Sequence, residues 1–304
     1  MHKQIKVFCV ADYFLPGYLG GGPITTINNM RKVLLGKVNF SVYTRDRDLG
    51  SIEAYNEISA NTWISVPEGS VYYASPDNFG ALEIIRMLGS AKYDVIYFNS
   101  FFSLKGSIFP LFLLKLLNCK IPVLLAPRGE FSPGALALKS YKKKIYLVFS
   151  KILKIYNNIS WHASSPIEAE DILKIFPNAH KKIFIAGDPV NIENSYPTLT
   201  YPRKESGRLR IVFISRISPM KNIDYLLDIL SLISAPVQLD IYGPIEDKIY
   251  WMHCIELIEK LPNNIRVILK GPISPNMVSS IFAKYDYFLF PTRGENFGHV
   301  IFEC

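Results

Sequence analysis

Short apolar runs rich in Val, Ile, Phe and Tyr alternate with helix-length segments along the whole chain. In the first part the strand-like runs are residues 5–10, 40–44, 71–74, 94–98, 123–126, 160–163 and 182–186. The segments 23–36, 79–89, 106–118, 133–157 and 166–176 are long enough, and periodic enough, to be helices. Strands separated by helix-length crossovers predict βαβ units and a largely parallel sheet. One helix start is written out in full at Ser165-Pro166-Ile167-Glu168. It combines an N-cap serine, a proline at the first helical position and a glutamate placed to close a capping box.

Beyond Ala186 the chain loses periodicity and fills with Pro, Gly and polar residues as far as Gly207. Such a stretch predicts an interdomain linker, assigned to 191–207, between an N-terminal domain 1–190 and a C-terminal domain 208–304. A second α/β series then begins, with strands at 210–214, 237–242, 265–269 and 287–290 and helices at 223–233, 248–261 and 275–284. The halves share an architecture without a sequence repeat. The expected fold is α/β, two Rossmann-like domains with parallel sheets facing a cleft.

Composition supports this reading. The chain has 304 residues, 49 % of them hydrophobic and 20 % charged, enough for two separate cores. Its four cysteines contain no Cys-x-x-Cys pair, so neither a zinc site nor a disulfide framework is indicated, and a reducing cytoplasm is the expected compartment. The N-terminal apolar run is too short for a secretory signal. The most membrane-like stretch, 101–126, is interrupted by Lys105, Lys115 and Lys120, leaving no span of the ~20 residues a bilayer needs.

Net charge is +8, from 34 basic and 26 acidic residues. Much of the excess sits in 139–154, where lysines interleave with apolar residues. Such a helix can lie on an anionic membrane surface, or be a solvated face over a buried stripe. No nucleic-acid motif accompanies the charge, so no nucleic-acid partner is expected.

Candidate chemistry gathers at strand ends, where ligands bind in parallel sheets. The run 290–303 ends a strand at Pro291, carries Gly294 and Gly298 in a loop, and spaces Glu295 and Glu303 eight positions apart. A helix after Asn296 would let one ligand reach both acids. Carboxylates accept hydrogen bonds from sugar hydroxyls and helix N-termini favour anions, which suits a nucleotide sugar. The first strand of the second domain is followed by Arg216 and, five residues on, Lys221, two cations fit to hold phosphates. Gly20, Gly21 and Gly22 form a loop whose amides can face an anion or a sugar. Arg128 and Glu130 follow another strand and read as acceptor or phosphate contacts, with a structural ion pair as the rival. His162 is an acceptor ligand or a satisfied core histidine. His299 is a further donor-contact candidate. Asp46-Arg47-Asp48 has the Asp-x-Asp form of metal-dependent transferases but reads as a loop, and no metal is assigned.

The run Pro291-Thr292-Arg293-Gly294-Glu295-Asn296-Phe297-Gly298-His299 to Glu303 resembles the Glu-x7-Glu signature of retaining glycosyltransferases of family 4, which have the GT-B fold. The Arg-x4-Lys-Asn pattern at Arg216, Lys221 and Asn222 resembles the family's diphosphate contact. The resemblance implies metal-independent transfer from a UDP- or GDP-linked sugar, with no further cofactor. It assigns Arg216 and Lys221 to the diphosphate, Glu295 with Asn296, Phe297 and Gly298 to the donor sugar, and Glu303 to the ribose. Gly271 and Ile273 are assigned to the base, and the Gly20–Gly22 loop to the donor phosphates from the opposite domain. Catalysis is implied for Glu295, Arg216 and Lys221, by same-face displacement without a protein nucleophile.

The glycine loop, the Pro127-Arg128-Gly129-Glu130 run and the basic charge further resemble transferases of bacterial surface-polysaccharide assembly. That implies a lipid-linked glycan acceptor at the inner leaflet, and a cytoplasmic protein peripheral on that membrane. Two departures stand out. Relatives carry a cleft histidine where this chain reads Phe98-Asn99-Ser100-Phe101, and the second domain stops one residue past Glu303, so it is expected to be incomplete. The latter motivates a rival reading, a non-catalytic remnant or nucleotide-binding module.

Overall fold

A computed structural model of the chain describes residues 3–138, 140–190, 207–295 and 297–304. The expected linker, 191–207, lies outside the described residues except for Gly207. The chain divides into two compact units, Met1–Asn191 and Ile192–Cys304.

In the first unit the strands are β1 (Ile5–Val10), β2 (Val38–Arg45), β3 (Trp63–Val66), β4 (Gly69–Ala74), β5 (Val95–Phe98), β6 (Val123–Leu125), β7 (Ser160–Ala163) and β8 (Ile183–Ile185). The helices are α1 (Gly22–Val33), α2 (Ala81–Ser90), α3 (Phe109–Leu116), α4 (Pro133–Ala137), α5 (Ser140–Ile152) and α6 (Pro166–Ile175). The sheet runs β3-β4-β2-β1-β5-β6-β7-β8, and only the β3–β4 pair is antiparallel. Alternate residues of β1 feed opposite cores: Phe8 and Val10 join a cluster with Phe98, Phe101 and Trp161, while Val7 and Cys9 join one with Phe14, Ile27 and Tyr97. A parallel sheet covered on both faces needs that near-continuous apolar strand.

Three expectations are corrected. β3 was not anticipated, because it is a four-residue edge strand joined to β4 by a two-residue turn, with Trp63 and Ser65 on its exposed side. The segment 133–157 is two helices: Leu138 is extended (φ −72°, ψ 126°), and α5 stops before Lys154, whose φ is 51°. The capping box at Ser165 is half formed. Ser165 Oγ accepts from Glu168 N (3.2 Å), but the Glu168 carboxylate accepts instead from Ser164 N (2.7 Å) and Gly129 N (2.6 Å). Glu168 thereby ties the loop after β6 to the one after β7.

The second unit holds β9 (Leu209–Ile214), α7 (Ile223–Ser231), β10 (Val237–Tyr242), α8 (Lys248–Ile258), β11 (Ile265–Gly271), α9 (Val278–Phe282), β12 (Tyr287–Phe288) and α10 (His299–Glu303). Its sheet, β11-β10-β9-β12, is parallel throughout. Ile211 and Phe213 pack with Leu226, Leu230 and Leu239 on one face, and Val212 and Ile214 pack with Val278 and Ile281 on the other. The loops after β9 and β10 run together: Ile217 N donates to Pro244 O (2.8 Å) and Glu246 N to Ile217 O (3.1 Å). That closeness demands Gly243, at φ 140°, where a Cβ would sit 1.8 Å from Ser215 O.

Among the described residues no helix is long and apolar enough to cross a membrane.

Candidate functional site

In the second unit the loops leaving β9 and β12 are sewn to each other at the carboxyl end of the sheet. Arg293 N donates to Met220 O (2.9 Å), and Asn222 Nδ2 to Pro291 O (3.0 Å). Arg293 in turn donates to Asn222 Oδ1 (2.8 Å) and pairs with Asp224 (3.2 Å). Asn222 itself takes the left-handed conformation (φ 60°) that starts α7, one that asparagine tolerates better than most residues. The seam brings Lys221 and Glu295, 74 positions apart, into an ion pair. The Thr292 hydroxyl lies 3.1 Å from the same Glu295 oxygen.

Lys221 is 8 % exposed, and its ammonium also sits 5.1 Å from the centre of the Phe290 ring. Burial lowers its pKa, and the Glu295 carboxylate opposes that shift. Arg216 and Glu246 lie within electrostatic reach of Lys221 and pair with each other at 2.9 Å. The Arg216–Glu246 pair is more than a third exposed on both sides, so its partners can exchange for a ligand at small cost. Arg216, Lys221 and Glu295 therefore share one locus.

The helix expected after Asn296 begins at His299 and runs to Glu303. Asn296 lies outside the described residues. Gly298 precedes the turn at φ 73°, and a Cβ there would meet the Ile301 side chain at 3.1 Å and lie 3.8 Å from that of Glu295. Phe297 packs its ring 4.7 Å from His299. Glu303 is mostly buried, and desolvation pushes its carboxyl up to about 6. Gly271 closes β11 at φ 80°, and its carbonyl accepts from Gly243 N (2.9 Å). The Ile273 side chain packs against the Val212, Ile214, Val278 and Ile281 cluster.

Residues in this seam that were missed from sequence are Glu246, Asp224, Thr292 and Arg293. Thr292 and Arg293 carried a signal by falling inside the 290–303 run, and Glu246 by falling in the strand-end run 240–247; Asp224 carried none.

In the first unit the candidates are committed to the fold. Arg128, itself at φ 56°, donates to Asp188 (2.6 Å), the Tyr97 hydroxyl (2.7 Å) and Asn99 Oδ1 (2.9 Å), with its side chain 6 % exposed. His162 is buried, with Nε2 2.9 Å from Ala186 O and Nδ1 2.6 Å from the Tyr97 hydroxyl. A carbonyl only accepts, so Nε2 carries the proton and Nδ1 accepts from Tyr97. Burial, aided by Arg128, lowers the His162 pKa, in keeping with a neutral ring. Glu130 accepts from Phe101 N (2.5 Å), Phe102 N (3.0 Å) and Ser100 Oγ (3.0 Å), and burial raises its carboxyl. None of the three aims a free polar group outward, which favours the structural readings of Arg128 and His162.

Gly20 to Gly22 lead into α1, with Gly21 at φ 76° as its N-cap. Asp48 fixes this loop by accepting from Tyr18 N (2.8 Å) and Leu19 N (3.1 Å), while Asp46 binds Arg47 (2.8 Å). Among the described residues no cluster of three or more His, Cys, Asp or Glu could hold a metal ion.

Residues 201–304 match the family described as glycosyl transferases group 1. No curated protein matches the chain in sequence. Several solved structures match its fold. An Anabaena protein, HepE, in complex with UDP and glucose is 16 % identical with TM-score 0.65, over 99 % of this chain and 78 % of that one. A glycosyltransferase from Rickettsia africae is 15 % identical with TM-score 0.61, over 99 % and 77 %. The catalytic domain of starch synthase IV from Arabidopsis thaliana, bound to ADP and acarbose, is 12 % identical with TM-score 0.63, over 99 % and 81 %. The chain thus has the α/β GT-B fold of these proteins, and its second unit carries the match to the group 1 glycosyltransferases.

Proposed function

We propose that the chain is a retaining glycosyltransferase that moves a sugar from a UDP- or GDP-linked donor to an acceptor hydroxyl. The observation that carries this reading is the Lys221–Glu295 pair with Arg216 alongside: two cations and an acid at the carboxyl end of a parallel sheet. The group 1 family match over residues 201–304 supports the same class, as do fold neighbours whose structures hold UDP with glucose, or ADP.

When a diphosphate arrives, Arg216 exchanges Glu246 for phosphate oxygens and Lys221 adds its charge, stabilising the leaving group. Glu295, released from part of its pairing, accepts hydrogen bonds from donor-sugar hydroxyls, and Glu303 meets the ribose. Phe297 and Gly298 line the donor, Asn296 is assigned beside them, and the backbone at Gly271 and Ile273 borders the base. In the first unit the amides of Gly20 to Gly22 are assigned to donor phosphate. The bond from the anomeric carbon to the phosphate oxygen breaks, the acceptor oxygen bonds to the same face, and its proton passes to the leaving phosphate. No metal is invoked.

The pathway reading is assembly of a bacterial surface polysaccharide on a lipid-linked acceptor, by a cytoplasmic protein. It rests on the resemblance at Gly20–Gly22 and at Pro127–Glu130. Incubating the whole chain with radiolabelled UDP- and GDP-sugars and a polyprenyl-linked glycan tests the proposal. Transfer with retained anomeric configuration is expected. Nucleotide binding with neither transfer nor donor hydrolysis would favour the non-catalytic binding module instead.

A further inference from the structure

Helix α5 buries one face and presents a second apolar face to solvent. Tyr146 and Leu147 pack toward the core, Tyr146 pairs its hydroxyl with that of Tyr156, and Ser150 is buried. On the opposite side Tyr141, Ile145, Val148, Phe149 and Ile152 are all 42 % exposed or more. At 3.6 residues per turn these five positions fall within an arc of about 100°, centred away from the buried face. Lys142 borders one side of that arc, and Lys144 and Lys151 border the other, all three exposed. Lys143 is not among them, since it turns back to donate to Ala135 O (2.6 Å) beside the Phe102 ring.

An ordinary surface helix has one apolar stripe, facing the core. A second stripe pointing outward, with lysines on both borders, is the pattern of a helix lying in a bilayer interface. Lys115 of α3 donates to Leu153 O, so the end of α3, with Leu116 and Leu117 exposed, adjoins the end of α5 and adds apolar surface there.

We propose that the outward stripe of α5 docks the first unit on a bilayer bearing anionic lipid headgroups, with Val148, Phe149 and Ile152 entering the interface and Lys142, Lys144 and Lys151 meeting the headgroups. Charge selects this occupant over a second copy of the chain. Between Phe131 and Pro166 there is no acidic residue, so stripe-to-stripe pairing would set lysines against lysines. Headgroup phosphates neutralise them. The inference is independent of the donor site, because none of the residues it uses is assigned to that site.

Co-sedimentation of the whole chain with vesicles of phosphatidylcholine alone, or with about 30 mol% phosphatidylglycerol added, tests it without donor or acceptor. Binding to the anionic vesicles only, weakened by salt, is expected. Phe149→Glu with Val148→Glu should weaken it about tenfold or more, and Lys142→Glu with Lys144→Glu should abolish the preference for anionic lipid. A Phe149→Trp variant reports insertion through a blue shift of the new tryptophan, and stays informative should the glutamate pair misfold. Absent binding, equal binding by the stripe variant, or an unshifted tryptophan would overturn the proposal. So would dimers in light scattering that Phe149→Glu dissolves, since the stripe would then serve a second copy.

Discussion

Arg128 in the first unit and Lys221 in the second both follow a parallel strand, and both are buried, yet they are held in opposite ways. Arg128 spends its donors on Asp188, Tyr97 and Asn99, and Tyr97 passes the chain on to His162 and Ala186. Each group in that network is satisfied within the unit. Lys221 has Glu295 and the Phe290 ring, and beside it Arg216 shares one exposed partner, Glu246. A closed network of this kind rigidifies a fold. A cation pair held by partners that are partly in water can trade them for a ligand. Two buried cations that each follow a parallel strand are thus held differently, according to how many partners surround them.

Removing each cation separates the two cases. Arg128→Met should cost about 3–5 kcal/mol of stability, because it leaves Asp188 buried without its partner, read as a lower urea midpoint. A loss under about 1 kcal/mol would erase the distinction. Lys221→Ala should instead spare most of the stability while lowering transfer from the sugar nucleotide about 10²–10³-fold in kcat/KM. Equal damage to folding would move Lys221 into the structural class.

The smallest effect concerns Glu303, whose carboxyl is raised by burial to about 6 from 4.5. The folded state then binds more protons than the unfolded one between those values, so stability falls as pH rises through that window. Glu303→Gln should leave stability below pH ~4.5 unchanged and raise it above pH ~6 by about 1–2 kcal/mol, seen as a pH-dependent Tm difference. A pH-independent difference would mean that Glu303 titrates as an ordinary exposed acid.

Much of the fold was legible because apolar runs and turn residues report local structure. β1, β7 and β10 fall where the alternation put them. β3 escaped because a four-residue, half-exposed edge strand has too little pattern to separate it from a loop. The long 133–157 helix was over-read, since periodicity continues across Leu138 even though its backbone does not. At the candidate site, Arg216, Lys221 and Glu295 were nameable from spacing and resemblance, but not the seam that joins them. Asp224 gave no sign, being an ordinary helix acid in the sequence, and Glu246 was marked only by its place in the strand-end run 240–247.

By itself the sequence determined two α/β series, the positions of every strand but β3 and a set of charged residues at strand ends, because period and turn chemistry act over a few residues. Only the tertiary structure decided which charges meet. Lys221 finds Glu295 because β12 pairs beside β9, and Arg128 finds Tyr97 because β5 pairs beside β6. It also decided that α5 shows water a second apolar face. Strand order and burial are properties of the whole packed chain, and no local window contains them.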